Sequence, residues 1–218
     1  MWRSMAKTAL ATTLFGLVHS VVASAPFKRR AENLLGTRNR NGFFRLFYNL
    51  QALLTFGALL VYMWRLPNRV LYRVRGPLRW LMHAGQAASA LFALWAMLHI
   101  GIFRIAGVTS FLSWLSNRGT TREVEQEPDG QGPRLDDDGT MKATGPYQYS
   151  RHALNFAPVP ILWLMPKMTA NLFAFNSVMT LYAWLGSLHE EVRLRETYGQ
   201  AYEDYQNSGT PFFCPRPK

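Results

Sequence analysis

Three runs of apolar residues, each long enough to cross a lipid bilayer, constrain this chain more than any other feature of its sequence. They cover about residues 8–25, 46–64 and 80–103. About twenty apolar residues in helical conformation match a hydrocarbon core of about 30 Å, and aromatic residues at the ends of the second and third runs are typical of interface anchors. The sequence therefore predicts an all-α, multi-pass transmembrane bundle, with residues 1–115 forming its N-terminal helices.

The first run also has features of a secretory signal peptide. Basic residues precede it, and small residues that resemble a cleavage site end it at 23–25. Two observations favour a retained membrane helix: the polar pair His19-Ser20 interrupts the apolar region, and six basic residues follow by Arg45.

Two polar segments separate the apolar parts of the chain. Residues 66–79 alternate apolar positions with arginines, which indicates an amphipathic segment at the membrane surface. Residues 116–144 are predicted to form a polar loop, because almost no apolar residue occurs there. Its acidic residues stand among glycines and prolines: Glu123, Glu125, Glu127, Asp129, Asp136, Asp137 and Asp138.

Apolar sequence returns in two stretches, 153–165 and 170–188, separated by a predicted tight turn at 166–169. We interpret them as a helical hairpin over 153–188, which brings the predicted total to about five membrane helices. Pro158 and Pro160 should kink the first arm, and a membrane tolerates such a kink only where neighbouring groups satisfy the freed backbone atoms.

An amphipathic helix is predicted over residues 186–206, followed by a proline-rich tail. Leu194, Tyr198, Ala201 and Tyr205 share one face of it at helical spacing. The basic loop after the first helix should be cytoplasmic by the positive-inside rule, and five crossings then place the C-terminus there too. The arginine-rich segment at 65–79 does not fit this orientation, because it would face the opposite side.

Composition excludes several classes of function. The net charge of +11 is compatible with nucleic acid or a membrane surface, but the basic residues lie between apolar segments, so we expect membrane lipids and no nucleic acid as partners. The single cysteine, Cys214, excludes an intrachain disulfide and a cysteine-based zinc site. Because His19, His83 and His99 are dispersed within apolar helices, we expect them to pack between helices and predict no metal site.

No glycine-rich phosphate loop or dinucleotide fingerprint occurs, which excludes a soluble Rossmann-type domain.

The candidates for chemistry form two groups. The first lies where the polar loop re-enters the apolar region, and there Arg151 and Asn155 share a face if a helix starts near Ser150. The alternative is that Arg151 and His152 are interface anchors and that Ser150 is the N-cap of the helix. The second is His189-Glu190-Glu191 at the end of the last apolar run. Carboxylates near a membrane boundary require partners, although a surface pair between Glu191 and Arg195 is the simpler alternative.

Together these motifs resemble the isoprenylcysteine carboxyl methyltransferase superfamily of membrane enzymes, and most closely its methanethiol S-methyltransferase branch. The resemblance covers about residues 144–218. It rests on Gly145, Tyr147, Arg151-His152, Glu190-Glu191, Leu194, Tyr198-Gly199, Tyr202, Tyr205 and the prolines from Pro211 to Pro217. Two positions depart from the family pattern: Ala153 replaces the usual proline, and Ala157 replaces a residue that is usually glycine.

The resemblance implies a methyltransferase that uses S-adenosylmethionine, bound by residues 145–218 on the cytoplasmic side. The residues implied as catalytic are Arg151, His152 and Glu190. Those implied in holding the donor are Tyr147, Arg151, His152, Asn155, Glu190, Glu191, Tyr202 and Tyr205. Arginine suits the carboxylate of the donor, acidic residues suit its amine and hydroxyls, and aromatic rings suit its adenine and sulfonium. The implied acceptor is a thiol or a lipid-like small molecule that arrives through the bilayer.

Two other functions stay open at this point. One is an NADPH-dependent reductase of the sterol-reductase kind, a neighbouring group of enzymes with a related C-terminal architecture. The other is a non-catalytic accessory protein of the same fold, which Ala153 favours. The sequence decides neither the acceptor nor the oligomeric state, nor whether residues 116–144 cover the site.

Overall fold

The computed structural model describes residues 1–117, 135, 138–141 and 143–216. Pro217 and all the acidic residues of the predicted loop except Asp138 lie outside this part of the chain. The elements are α1 (Trp2–Ala23), α2 (Ala25–Leu35), α3 (Thr37–Arg65), β1 (Val70–Arg73), α4 (Pro77–Ile100), α5 (Ile102–Ala106), α6 (Val108–Ser116), a 3-10 helix (Gly145–Gln148), α7 (Ala153–Phe156), α8 (Pro158–Trp163), β2 (Lys167–Thr169), α9 (Ala170–Tyr198) and α10 (Gln200–Asn207).

The chain is mostly helical, and within the described residues α1, α3 and α4 are long and apolar enough to cross a membrane. The prediction of a helical membrane protein is therefore confirmed. α4 ends at Ile100, three residues before the predicted end, because Gly101 has a φ of +104° that a continuing helix does not allow. The two further crossings remain a prediction, since the helical stretch Ala153–Trp163 is only about 16 Å long at 1.5 Å per residue.

Two compact units make up the chain. The first contains Met1–Asn68 and Gly101–Pro128. In it α1 packs against α3 through small residues, and the ring of His19 meets that of Tyr48 with a hydrogen bond between them. α6 also packs on α3, where Gly42 is required, because a Cβ atom at this position would lie 2.6 Å from the Cβ of Trp114.

The second unit contains Arg69–Ile100 and Asp129–Lys218. Its strands pair antiparallel, with Val70 opposite Thr169 and Arg73 opposite Lys167. This sheet differs from our expectation of an amphipathic surface segment at 66–79 and a turn at 166–169. The reason is that a pairing between segments about one hundred residues apart leaves no signature in the local periodicity of either one.

The first arm of the predicted hairpin consists of two short helices, α7 and α8, which meet at Ala157 just before Pro158. Short helices leave their final carbonyl groups without intrahelical partners. Side chains of α4 and α9 supply those partners here. Ser89 donates to the carbonyl of Ala157 (2.7 Å), Gln86 to that of Ile161 (2.9 Å) and Asn176 to that of Leu162 (2.5 Å). The kinked arm is thus satisfied by neighbouring protein, as a membrane environment requires.

The amphipathic helix predicted over 186–206 is instead the end of α9 followed by α10. The break falls at Gly199, whose φ of +52° interrupts the helical path. The predicted apolar face survives the break, because Leu194 and Tyr205 form a core with Met141 and Tyr202, against which Tyr198 and Ala201 pack.

Candidate functional site

Glu191, in the last turns of α9, accepts hydrogen bonds from several partners at once. Its Oε1 lies 2.9 Å from Arg151 Nε, 2.9 Å from His152 Nε2 and 2.8 Å from the Tyr202 hydroxyl. Gln206 of α10 donates to its Oε2. The Glu191–Arg195 pair that was the simpler alternative is only a minor contact, at 4.0 Å. We expected a carboxylate at this boundary to have a partner, and the structure shows that Arg151 and His152 are the partners of Glu191.

Glu190 forms a second layer of the same site. Its Oε2 lies 3.3 Å from His152 Nδ1 and accepts a 3.1 Å hydrogen bond from the side-chain amide of Asn155. Asn155 also donates to the hydroxyl of Ser187, at 3.0 Å. We call Arg151, His152, Glu190 and Glu191 the Glu191 cluster.

The cluster is buried, and it contains two cationic and two anionic side chains. The side chains of Arg151, His152, Glu190 and Glu191 are 14%, 1%, 9% and 8% exposed. Taking isolated charges out of water is costly, so a neutral sum with hydrogen bonds on both carboxylates is what makes such a cluster tolerable.

The C-terminal tail holds the first half of the cluster in place. Arg151 donates from its backbone to the carbonyl of Pro211 (2.9 Å) and from Nη1 to that of Thr210 (2.7 Å). Ser150 donates to the carbonyl of Phe213 (2.7 Å) and accepts from the backbone of His152 (3.1 Å). α7 begins at Ala153, so Ser150 does not cap it, and its hydroxyl joins the tail to the cluster instead.

Both ring nitrogens of His152 face carboxylates, and this arrangement favours its protonated form. Burial alone lowers the pKa of His152, but hydrogen bonds and charges from Glu190 and Glu191 outweigh it, and the pKa is raised above its ordinary value. For Glu191, burial favours a higher pKa, yet hydrogen bonds from His152, Arg151 and Tyr202 lower the pKa to about 2. The raised pKa favours the protonated form of His152, in which each ring nitrogen can donate to one carboxylate.

Three tyrosines form the wall behind the cluster. Tyr147, Tyr202 and Tyr205 are almost completely buried, and burial is the main reason why the pKa of each is raised, so their hydroxyls stay protonated. The Tyr205 hydroxyl donates to the backbone carbonyl of Tyr147 at 2.6 Å. Gly145 lies close to α4 here, and a Cβ atom at this position would be 2.7 Å from His99 Nδ1. Its φ of +55° also favours glycine.

All eight residues proposed from the sequence thus lie in this one site of the second unit. Sequence reasoning missed the residues that support them: Ser187, Gln206, Thr210 and Phe212. Phe212 packs its ring 5.1 Å from that of His152 and 5.8 Å from the guanidinium carbon of Arg151. Ser187 had a signal, since it stands one turn before Glu190, whereas the tail residues act mostly through backbone carbonyls, which any residue type provides.

Comparison with proteins of known function finds distant relatives that are named as methyltransferases, and the chain spans about two thirds of their length. The chain is 26% identical over 198 residues to methanethiol S-methyltransferase 1 of Bradyrhizobium diazoefficiens, covering 90% of this chain and 62% of that protein. It is 24% identical over 200 residues to a methanethiol S-methyltransferase of Pseudomonas deceptionensis, covering 91% of this chain and 68% of that protein. The chain is a distant relative of these methyltransferases.

No protein-family model matches the chain, and no solved structure matches it. The similarity to the methyltransferases nevertheless extends over about nine-tenths of the chain, so it includes residues of both units and not only the C-terminal third that suggested the resemblance.

Proposed function

We propose that this chain is an integral membrane methyltransferase that transfers the methyl group of S-adenosylmethionine to a small thiol. The observation that carries the proposal is the buried Glu191 cluster, in a distant relative of enzymes named for methanethiol methylation. Its donor site and C-terminus would face the cytoplasm, as the basic loop after α1 suggests.

Arg151 is proposed to hold the carboxylate of the donor. A guanidinium has five donor hydrogens, and within the described residues three of them are directed to Glu191 and Thr210. One hydrogen remains on each terminal nitrogen, and two such hydrogens suit a carboxylate in a two-point contact. Glu191 would thus keep Arg151 oriented while the remaining hydrogens bind the ligand.

Glu190 and Asn155 are proposed to bind the amine or ribose hydroxyls of the donor, and Tyr147, Tyr202 and Tyr205 to form the wall of its pocket. When bound, S-adenosylmethionine supplies a methyl group activated by a sulfonium. The protein's contribution would be to position the two reactants and to exclude water. Because carboxylates occupy both ring nitrogens of His152, it is not placed to take a proton from the acceptor. We therefore expect the acceptor to react as a thiolate, with its sulfur forming the new bond to the methyl carbon as the bond to the sulfonium breaks.

The test is methyl transfer by the purified full chain in lipid nanodiscs. Radiolabelled donor would be incubated with methanethiol, with larger aliphatic and aromatic thiols, and with a prenylated cysteine. We expect labelled thioether, strongest with the small thiols, and donor binding that Arg151→Gln weakens. Glu196→Gln, which changes an exposed carboxylate of α9, is the control and should behave as wild type.

NADPH in place of the donor distinguishes the reductase alternative. Folded protein that binds NADPH but not S-adenosylmethionine would contradict the proposal. Folded protein that binds neither would favour a non-catalytic role.

A further inference from the structure

A second charged region lies at the other end of the second unit. A pocket of about 510 Å³ is lined by Arg73, Arg75, Arg79 and Lys167, with Val74 and Pro166 completing it. We call these four cations the basic pocket. No lining residue is acidic, and none of the four forms an ion pair with any residue that the structure describes. Four like charges around one cavity repel one another unless an anion binds between them.

The backbone fixes where these cations stand. Arg73 and Lys167 are opposite each other in the sheet, and Val74 donates to the carbonyl of Pro166 at 2.7 Å. Gly76, with a φ of +68°, then turns the chain into α4, so that Arg79 falls in its first turn. The guanidinium of Arg79 lies 4.8 Å from the centre of the Trp80 ring. The fold therefore sets the backbone positions from which these exposed side chains extend.

The position of the pocket relative to α4 indicates what it binds. α4 is one of the helices that can cross a membrane, and it begins at Pro77, beside the pocket. Leu78, Trp80 and Leu81 follow directly and are more than half exposed, as expected of side chains that contact lipid. Tryptophan at such a helix end is typical of the headgroup region. With α4 across a bilayer, the basic pocket would lie at the depth of the lipid phosphates.

The two charged regions of this unit lie at opposite ends of α4. The methyltransferase site packs against the end of the helix near His99, whereas the pocket stands at its beginning. A helix of 24 residues is about 36 Å long at 1.5 Å per residue, which is close to the thickness of a bilayer.

We propose that the basic pocket binds the phosphate of an anionic phospholipid headgroup, in the leaflet opposite the Glu191 cluster. Arginine side chains match phosphate oxygens in two-point contacts, and the exposed apolar residues beside the pocket would take the acyl chains. Such a lipid also accounts for an arginine-rich segment that does not fit the positive-inside rule, because its charge is neutralised where it stands. The proposal does not depend on the methyltransferase activity.

The experiment is a lipid titration of the full chain in neutral detergent, with thermal unfolding as the readout. Short-chain phosphatidylglycerol should raise the unfolding temperature, and phosphatidylcholine should not. The variant Arg73→Gln/Arg75→Gln should require on the order of tenfold or more phosphatidylglycerol for the same shift, since each cation near an anionic surface contributes substantially to binding. Arg73→Lys/Arg75→Lys, which keeps the charge, should lose less.

The matched control is Arg29→Gln/Arg30→Gln, which removes the same charge from two exposed residues of α2. It should respond as wild type. Equal loss in both double variants would overturn the proposal, because the effect would then be general electrostatics. Inorganic phosphate that protects as well as the lipid, at equal concentration and ionic strength, would overturn the assignment to a lipid.

Native mass spectrometry of the wild-type chain needs no variant. Retention of phosphatidylglycerol over phosphatidylcholine is expected, and equal retention of the two would contradict the proposal.

Discussion

The second unit carries two groups of charged side chains, and they differ in how their charge is compensated. In the Glu191 cluster two cations and two carboxylates are buried together, and the hydrogen bonds are made within the protein. In the basic pocket four cations are exposed, and no described carboxylate is paired with them. Burial demands internal compensation, because water is not there to provide it. Exposed side chains can carry a net charge of one sign, because water solvates them, and this charge is then available to an external partner.

The comparison predicts that the same kind of substitution has very different consequences at the two ends of α4. Stability should depend strongly on the Glu191 cluster whatever the surroundings, whereas the basic pocket should matter to stability only when anionic lipid is present.

Glu191→Ala should have the largest effect. It leaves Arg151 and His152 buried without their shared carboxylate and removes the acceptor of the Tyr202 hydroxyl, so we expect a loss of about 3 to 5 kcal/mol in the free energy of unfolding. Chemical denaturation in detergent measures it, and Glu196→Ala, an exposed carboxylate on the same helix, is the control. Similar losses for both variants would show that the cluster has no special role.

The pH dependence of stability should come next in size. Because the pKa of Glu191 is lowered from 4.5 to about 2 in the fold, its contribution is present above pH 4.5 and is lost as the pH falls toward 2; in full this amounts to about 3 kcal/mol. Because the pKa of His152 is raised, its contribution is present below its ordinary 6.5 and is lost as the pH rises through the higher folded value. The cluster should therefore stabilise the fold most between about pH 4.5 and 6.5.

Thermal unfolding from pH 3 to 9 would test this profile. His152→Gln should flatten the loss on the alkaline side, and His189→Gln, an exposed histidine of α9, should leave it unchanged. A profile that His152→Gln does not alter would contradict the assignment of His152 as a cation.

A smaller effect is expected from the tyrosine wall, and it should distinguish two hydroxyls that look alike. Tyr202→Phe removes a hydrogen bond to a charged carboxylate and should cost about 1.5 to 3 kcal/mol, whereas Tyr205→Phe removes one to a backbone carbonyl and should cost about 1 kcal/mol. The difference between the two variants in one denaturation series is the measurement. A larger loss for Tyr205→Phe than for Tyr202→Phe would contradict a charged Glu191 as the acceptor of the Tyr202 hydroxyl.

The smallest effect should come from the basic pocket in the absence of anionic lipid. Arg73→Gln/Arg75→Gln should change the free energy of unfolding by no more than about 0.5 kcal/mol in neutral detergent, since exposed substitutions away from specific contacts have little effect. Arg151→Gln, the same substitution within the Glu191 cluster, should be clearly destabilising in the same detergent. Equal effects would remove the distinction between the two regions.

Part of the candidate site could be predicted from the sequence. Glu190 and Glu191 at a membrane boundary require partners, but the residues alone left a surface pair with Arg195 as the simpler alternative. The resemblance singled out Arg151-His152, and the structure brings this pair onto Glu191. The support from Thr210 and Pro211 was not predictable, because it comes from backbone carbonyls. The break at Gly199 was also missed, since helical periodicity continues across it in the pattern of Leu194, Tyr198 and Tyr205.

The sequence by itself determined the helical class and the helices that can cross a membrane, because apolar run lengths act over a few helical turns. The residues of the Glu191 cluster were singled out by the resemblance of residues 144–218 to membrane methyltransferases. Only the tertiary structure decided the β1–β2 pairing and, with it, the basic pocket. Arg73 and Lys167 stand far apart in the chain, and nothing in either segment alone specifies the other as its partner. Strand register depends on contacts between distant segments, so four unremarkable surface cations became one site only when the chain folded.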